Sequence, residues 1–168
     1  MLLIYRTIER EFVLALKTSF SIQIPSDIGY IKDLILHIRQ RLSTFQYPAT
    51  LVEFDIPLVI TEALANAIIH GNKRDFNKTV KVSVTATPYL FICIVTDMGD
   101  GFNYSGLKPI SNDVNDPPTS GRGISLIKSM MSKVTYNARG NQIRMVLKIT
   151  NEPARVSAVR LGDVNYGK

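Results

Sequence analysis

The sequence predicts an α+β two-layer sandwich, in which a mixed, mostly antiparallel sheet carries helices on one face. Three observations predict it. Stretches with helical periodicity are interleaved with stretches of strand periodicity. Two pairs of strand-like runs are each joined by a short turn, as in antiparallel hairpins. The length of 168 residues, 45% of them hydrophobic, fits one globular domain with its own core. The reading assigns residues 1–150 to that domain and 151–168 to a loose tail with few large apolar residues. A single cysteine, Cys93, excludes an internal disulfide framework and any zinc site built on several Cys. It lies within the apolar run from Leu90 to Val95 and reads as a small buried hydrophobe.

The elements follow in order. Residues 1–18 fit two descriptions, because Leu2, Ile4, Phe12, Leu14 and Leu16 alternate like a strand while IEREFVLALK also fits a helical turn or two. Ser19 to Ile24 alternates polar and apolar, which predicts a strand. Pro25-Ser26-Asp27 then reads as a helix start with Ser26 as N-cap. Ile31, Leu34, Ile35, Ile38 and Leu42 recur at helical spacing, which predicts an amphipathic helix over 27–45 with His37 among its solvated positions. A second helix is expected from Asp55 to His70, with Pro57 in its first turn and Gly71 just past its end in left-handed backbone. Thr79 to Ala86 and Tyr89 to Thr96 make a hairpin around Pro88. Met98 to Ser120 is rich in Gly, Asn, Asp, Pro and Ser and lacks periodicity, which marks a functional loop or a disordered segment. Gly121 to Met131 is helical again. Lys133 to Asn137 and Gln142 to Ile149 close the sheet as a hairpin around Arg139-Gly140-Asn141.

Twenty Lys and Arg against fourteen Asp and Glu give a net charge of +6, which suits polyanionic ligands or acidic protein surfaces. The basic residues are scattered and no recognition motif accompanies them, so direct nucleic-acid binding is not expected. The longest uncharged stretch, Val82 to Thr96, contains Pro88 and is shorter than the ~20 apolar residues a spanning helix needs. Arg6, Glu9 and Arg10 come too early for a secretory signal. A cytoplasmic protein is expected, without membrane association.

Three patches carry chemistry. In TEALANAIIHGNK, Glu62, Asn66 and His70 are four apart and project from one helix face. Asn disfavours a helix interior, and its carbonyl oxygen is a ligand suited to a hard cation such as Mg²⁺. Asp97-Met98-Gly99-Asp100-Gly101-Phe102 follows an apolar strand, placing a carboxylate at the sheet rim beside glycines that allow left-handed backbone and close approach of a planar ligand. Ser120-Gly121-Arg122-Gly123-Ile124 opens a helix, and its glycines bare N–H groups that favour an anion. A phosphate-binding GxxxxGK[ST] loop is absent, as are the protein-kinase HRD and DFG motifs, HExxH and GxSxG.

Taken in order, ExxxN on a helix, DxGxG after a strand, a long polar loop and GxG opening a helix resemble the GHKL superfamily of ATPases and kinases. The resemblance spans roughly residues 19–149. ANAIIHGN and SGRGI are most similar to the small anti-sigma-factor serine/threonine kinases of bacterial partner switching. The resemblance implies a histidine-kinase-like ATPase fold that binds ATP with Mg²⁺. It implies that Asn66 coordinates the Mg²⁺ and that Glu62 is the general base toward the hydroxyl being phosphorylated. Asp97 would accept a hydrogen bond from the adenine amino group, with Gly99 and Gly101 letting the base pack against backbone. Residues 98–120 would form the ATP lid, with Gly121 and Gly123 as its hinge and phosphate-binding end. Asn72, Lys73 and Arg122 would lie near the phosphates. The implied partners are a sigma factor and an anti-anti-sigma protein of the STAS type, and a homodimer is compatible with the resemblance. A nucleotide-holding module without kinase turnover is the alternative. Gly140-Asn141-Gln142 departs from the pattern, since related ATPases often carry a threonine near the adenine there.

Overall fold

The computed structural model describes residues 17–102 and 122–150. The N-terminal segment 1–16, residues 103–121 of the expected lid with Gly121, and the tail 151–168 lie outside the described residues. The chain enters through strand β1 (Thr18–Pro25) and a 3₁₀ turn (Ile28–Tyr30), then helix α1 (Ile31–Leu42). Helix α2 (Ile56–Ala65) is followed by strands β2 (Thr79–Thr87) and β3 (Leu90–Thr96). Helix α3 (Arg122–Met130) precedes strands β4 (Lys133–Tyr136) and β5 (Gln142–Lys148). The sheet order is β1-β2-β3-β5-β4. All four pairings are antiparallel, so the parallel component of a mixed sheet is not found among the described strands.

Alternation along the strands divides the two faces. Ile24, Val80, Val82, Val84, Phe91, Cys93, Val95, Ile143 and Met145 are buried beneath the helices. Cys93 lies in this layer, as its apolar run predicts, and burial pushes its thiol up to about 12. On the other face, in-register hydroxyl pairs meet across β1 and β2: Ser19 with Thr85 and Ser21 with Ser83, each at 3.0 Å. Helix α1 buries Ile31, Leu34, Ile38 and Leu42, the stripe that its periodicity predicts. His37 is not simply solvated, because its ring stands edge-on to Phe20 with centroids 5.3 Å apart.

The first cap falls one residue later than expected. Asp27 accepts the Gly29 N–H at 2.8 Å, whereas Ser26 is buried and its Oγ has no hydrogen-bond partner. The cause is sheet pairing. The Ser26 N–H donates to the Lys78 carbonyl at 3.1 Å, extending the β1–β2 ladder and turning the Ser26 side chain inward.

Helix α2 is bracketed by two wide turns. Leu51–Asp55 is π-helical and ends with the Ile56 N–H donating to the Leu51 carbonyl. Pro57 has no N–H to give, so a widened turn ahead of it spares the regular ladder, and helical structure begins before Asp55. Asn66–Gly71 is also π-helical, and the Asn72 N–H reaches back to Ala67 at 2.7 Å. Gly71 is not left-handed. The left-handed residues are Lys73 and Arg74, each with φ of 57°. Such backbone costs roughly 1–2 kcal/mol per non-glycine residue. Hydrogen bonds around the turn offset it, from the Arg74 N–H to Ile68 at 2.8 Å and from the Asp75 N–H to Asn72 at 3.1 Å. Gly71 is required for a different reason: a Cβ there would overlap the Asp97 carboxylate.

Asn72 closes this exit. It is fully buried, its Nδ2 donates to the Thr79 carbonyl at 3.0 Å, and its Oδ1 accepts the Met98 N–H at 2.8 Å. Asn72 therefore ties the helix end to β2 and to the turn after β3, with both ends of its carboxamide engaged. Asn72→Ala strands two buried backbone groups and is expected to cost about 2–4 kcal/mol, seen in urea as a lower midpoint with unchanged slope.

Candidate functional site

A cavity of about 690 Å³ opens between α2, the turn after β3, the start of α3 and the β4–β5 turn. Helical spacing brings Glu62, Asn66 and His70 into its wall together, as the sequence predicts. His70 stands exposed at the rim, whereas Glu62 and Asn66 are half-buried. Among the described residues, neither the Glu62 carboxylate nor the Asn66 carboxamide has a hydrogen-bond or ion-pair partner. Lining the cavity and half-buried, both are available to a ligand.

Gly123 brings the first turn of α3 against these two side chains. A Cβ on Gly123 would lie 2.5 Å from Glu62 Oε2 and 3.7 Å from Asn66 Nδ2. The positive end of a nine-residue helix thereby faces the same part of the cavity as Glu62 and Asn66. No group of three or more His, Cys, Asp or Glu residues able to hold a metal occurs among the described residues. A hard cation here would take the Asn66 carbonyl oxygen and draw its remaining ligands from water and a bound anion, a donor set that Mg²⁺ accepts.

The other end lies at the helix exit, where Asp97 stands against Gly71, and Ala63, Ala67, Val95 and Ile143 are apolar parts of the lining. Asp97 Oδ1 accepts the Gly99 N–H at 2.8 Å. Burial holds the Asp97 carboxyl above the usual carboxylate range, opposed less strongly by backbone N–H groups and by the charges of Arg139 and Lys78. Phe102 and Tyr136 meet edge to face at 5.3 Å along one wall, and burial pushes the Tyr136 phenol up to about 12.

Of the expected site residues, the structure gathers Glu62, Asn66, Asp97, Gly101 and Gly123 around the cavity. Gly101 is left-handed, with φ of 79°. Gly99 and Lys73 are not part of the lining. Gly99 has ordinary backbone, and its missing side chain admits the Gly71 carbonyl instead of a ligand. Lys73 is exposed on the left-handed exit turn. Gly121 and the Arg122 side chain lie outside the described residues. The wall residues Phe102 and Tyr136 were not foreseen as site residues, whereas Asn141 lies in the segment that the resemblance sets beside the base.

Comparison with known families matches residues 24–147 to the histidine kinase-like ATPase domain. Similar curated proteins include the anti-sigma F factor of Bacillus velezensis, 27% identical over 105 residues that span 60% of this chain and 72% of the relative. The anti-sigma F factor of Bacillus subtilis is 26% identical over the same length. Among solved structures, the RsbU and RsbW domains of a Mycobacterium tuberculosis protein superpose with a TM-score of 0.53 at 16% identity, covering 79% of this chain and 32% of that one. That likeness is one of fold, and it agrees with the antiparallel sheet and one-sided helices described above. With the family match spanning most of the chain, and the helix stripe, sheet-rim aspartate and second glycine site around one cavity, the chain belongs to the histidine kinase-like ATPase domain family.

Proposed function

We propose that this protein is a Mg²⁺-ATP-dependent serine/threonine kinase that acts as an anti-sigma factor and phosphorylates an anti-anti-sigma partner of the STAS type. The observation that carries the reading is the pair Glu62 and Asn66, one turn apart, unpartnered among the described residues, and facing a cavity whose far end is closed by Asp97. The names of the Bacillus relatives support the anti-sigma role, and the family supports ATP as the nucleotide. No helix among the described residues is long and apolar enough to cross a membrane, which is compatible with the cytoplasmic location we propose.

In this reading the base of ATP enters the end at Asp97, and Asp97 accepts a hydrogen bond from its exocyclic amino group. Gly101 gives the turn its left-handed backbone, and its missing side chain admits the Arg139 carbonyl beside the base site. The phosphates extend toward Glu62 and Asn66, where the N-terminus of α3 at Gly123 offers N–H groups and a favourable dipole. The Mg²⁺, when bound, neutralises phosphate charge, and Asn66 is the chain's own ligand to it. Glu62 takes the proton of the acceptor serine or threonine as its oxygen bonds to the γ-phosphorus and the bond to ADP breaks. This work is mostly positioning and charge stabilisation, so few protein groups are needed. Gly121 and Arg122 are proposed to complete the phosphate environment.

Saturating Mg·ATP, at about 100 times its dissociation constant, should raise the melting temperature by roughly 5–10 °C. Asn66→Ala should abolish that shift when melting is followed by scanning calorimetry. Glu62→Gln should keep the shift and slow transfer of labelled phosphate to a STAS partner by about 10²–10⁴-fold. An unchanged transfer rate would remove the base assignment, and no transfer by the unmodified protein would leave a nucleotide-holding module. For Asp97 the sign follows from its raised carboxyl. The folded state favours the protonated form, so this group's contribution to stability is greatest at low pH and falls as pH rises through its folded value. Asp97→Asn keeps an acceptor for the Gly99 N–H, so at pH 7 the unliganded variant should melt no lower than the parent. The same variant should lose the Mg·ATP shift.

A further inference from the structure

The turn between β4 and β5 is tied to Asp97 by a chain of side-chain amides. Asn137 Oδ1 accepts three backbone N–H groups, from Gly140 at 2.8 Å, Asn141 at 3.1 Å and Gln142 at 3.3 Å. Its Nδ2 donates to Asn141 Oδ1 at 2.8 Å. Asn141 Nδ2 in turn donates to the Asp97 carbonyl at 2.8 Å, while the Asp97 N–H donates to the Asn141 carbonyl at 3.0 Å. One residue therefore holds both peptide groups of Asp97, and a second residue orients the first. The backbones interleave beside this clamp. Gly101 and Gly140 are both left-handed, and a Cβ on either would strike the other segment's carbonyl, of Arg139 or of Phe102.

From this geometry we infer that Asn141 and Asn137 are positioning residues for base selectivity, fixing where the Asp97 carboxylate stands against the edge of the bound base. The inference rests on the ATP reading above. Adenine presents an amino donor at its six position and an acceptor at the adjacent ring nitrogen. A 6-oxo purine presents the reverse, a carbonyl and then an N–H. A carboxylate only accepts, so it selects between the two by which edge position it faces. A small displacement of Asp97 along that edge moves it from the amino position of adenine to the N–H position of hypoxanthine. Selectivity thus needs the main chain at Asp97 to be immobile, and the two asparagines supply that restraint. Both polar ends of the Asn141 side chain are already engaged, so it acts through Asp97 and not as a base contact.

The test compares dissociation constants for Mg·ATP and Mg·ITP, by titration calorimetry, in the parent, Asn141→Asp and Asn137→Asp. Asn141→Asp keeps the acceptor for Asn137 and replaces the donor to the Asp97 carbonyl with a repulsive oxygen. Asn137→Asp keeps the three acceptor bonds of the turn and turns only the link to Asn141 from attraction to repulsion, leaving the bond from Asn141 to Asp97 with its donor, so it is the milder probe should the first variant not fold. The parent should prefer ATP by roughly ten- to a hundredfold, the worth of one hydrogen bond to a charged group. In the variants the preference should shrink to within about threefold, with ITP binding retained or tightened. A lowered melting temperature with the ATP-to-ITP ratio unchanged would show a merely structural role and overturn the inference alone. A parent that binds Mg·ATP without preference over Mg·ITP would overturn the Asp97 contact itself, and a parent that binds neither would overturn the ATP reading.

Discussion

The site depends on one close approach, made where α2 ends against the turn after β3. Gly71 lies over the Asp97 carboxylate, and Gly99 lies over the Gly71 carbonyl, with no room for a Cβ at either position. Asn72, buried between them, hydrogen-bonds β2 on one side and Met98 on the other. This contact sets the distance between the helix stripe of Glu62 and Asn66 and the carboxylate at the sheet rim. Without it the same residues would still lie on a helix and on a loop, but they would not face one cavity. Glycine is needed here for proximity, not for unusual backbone angles.

The helix that carries the stripe is irregular at both ends, and each irregularity has a cause. Pro57 cannot donate to the ladder, and a wide turn before it accommodates the loss. The wide turn Asn66–Gly71 begins at the candidate metal-binding asparagine itself. Such turns recur at functional sites because they redirect a side chain without ending the helix. The chain then leaves through Lys73 and Arg74 in left-handed backbone, a local cost borne by the hydrogen bonds of the exit turn.

The electrostatics divide the cavity into two ends. At one end Asp97 is partly desolvated, so its charge is costly until a donor arrives, and an amino group on a ligand recovers part of that cost. At the other end Glu62 and Asn66 face the N-terminus of α3, where anions are favoured. A ligand with a hydrogen-bond donor at one end and negative charge at the other matches both ends together, and this polarity supports a nucleotide more directly than the size of the cavity does.

Much of this was legible in the chain alone. Period-two alternation placed β1, β2, β3 and β5 within about a residue of where they lie, because burial of one sheet face leaves no freedom in which residues point inward. Four-residue spacing put Glu62 and Asn66 side by side on one face, while the wide turn from Asn66 leaves His70 in the same wall but exposed at its rim. What the chain could not disclose were choices made by contact between distant segments. Ser26 lost the cap to Asp27 because sheet pairing drew it inward. Asn72 became a buried clamp, and Lys73 took left-handed backbone outside the cavity lining, which local spacing gives no sign of. The link from Asn137 through Asn141 to Asp97, some forty positions earlier, has no sign in local spacing. The sequence by itself determined periodicity, and hence which side chains share a face. Only the tertiary structure decided which faces meet, because that depends on close approaches and hydrogen bonds between segments that local spacing does not encode.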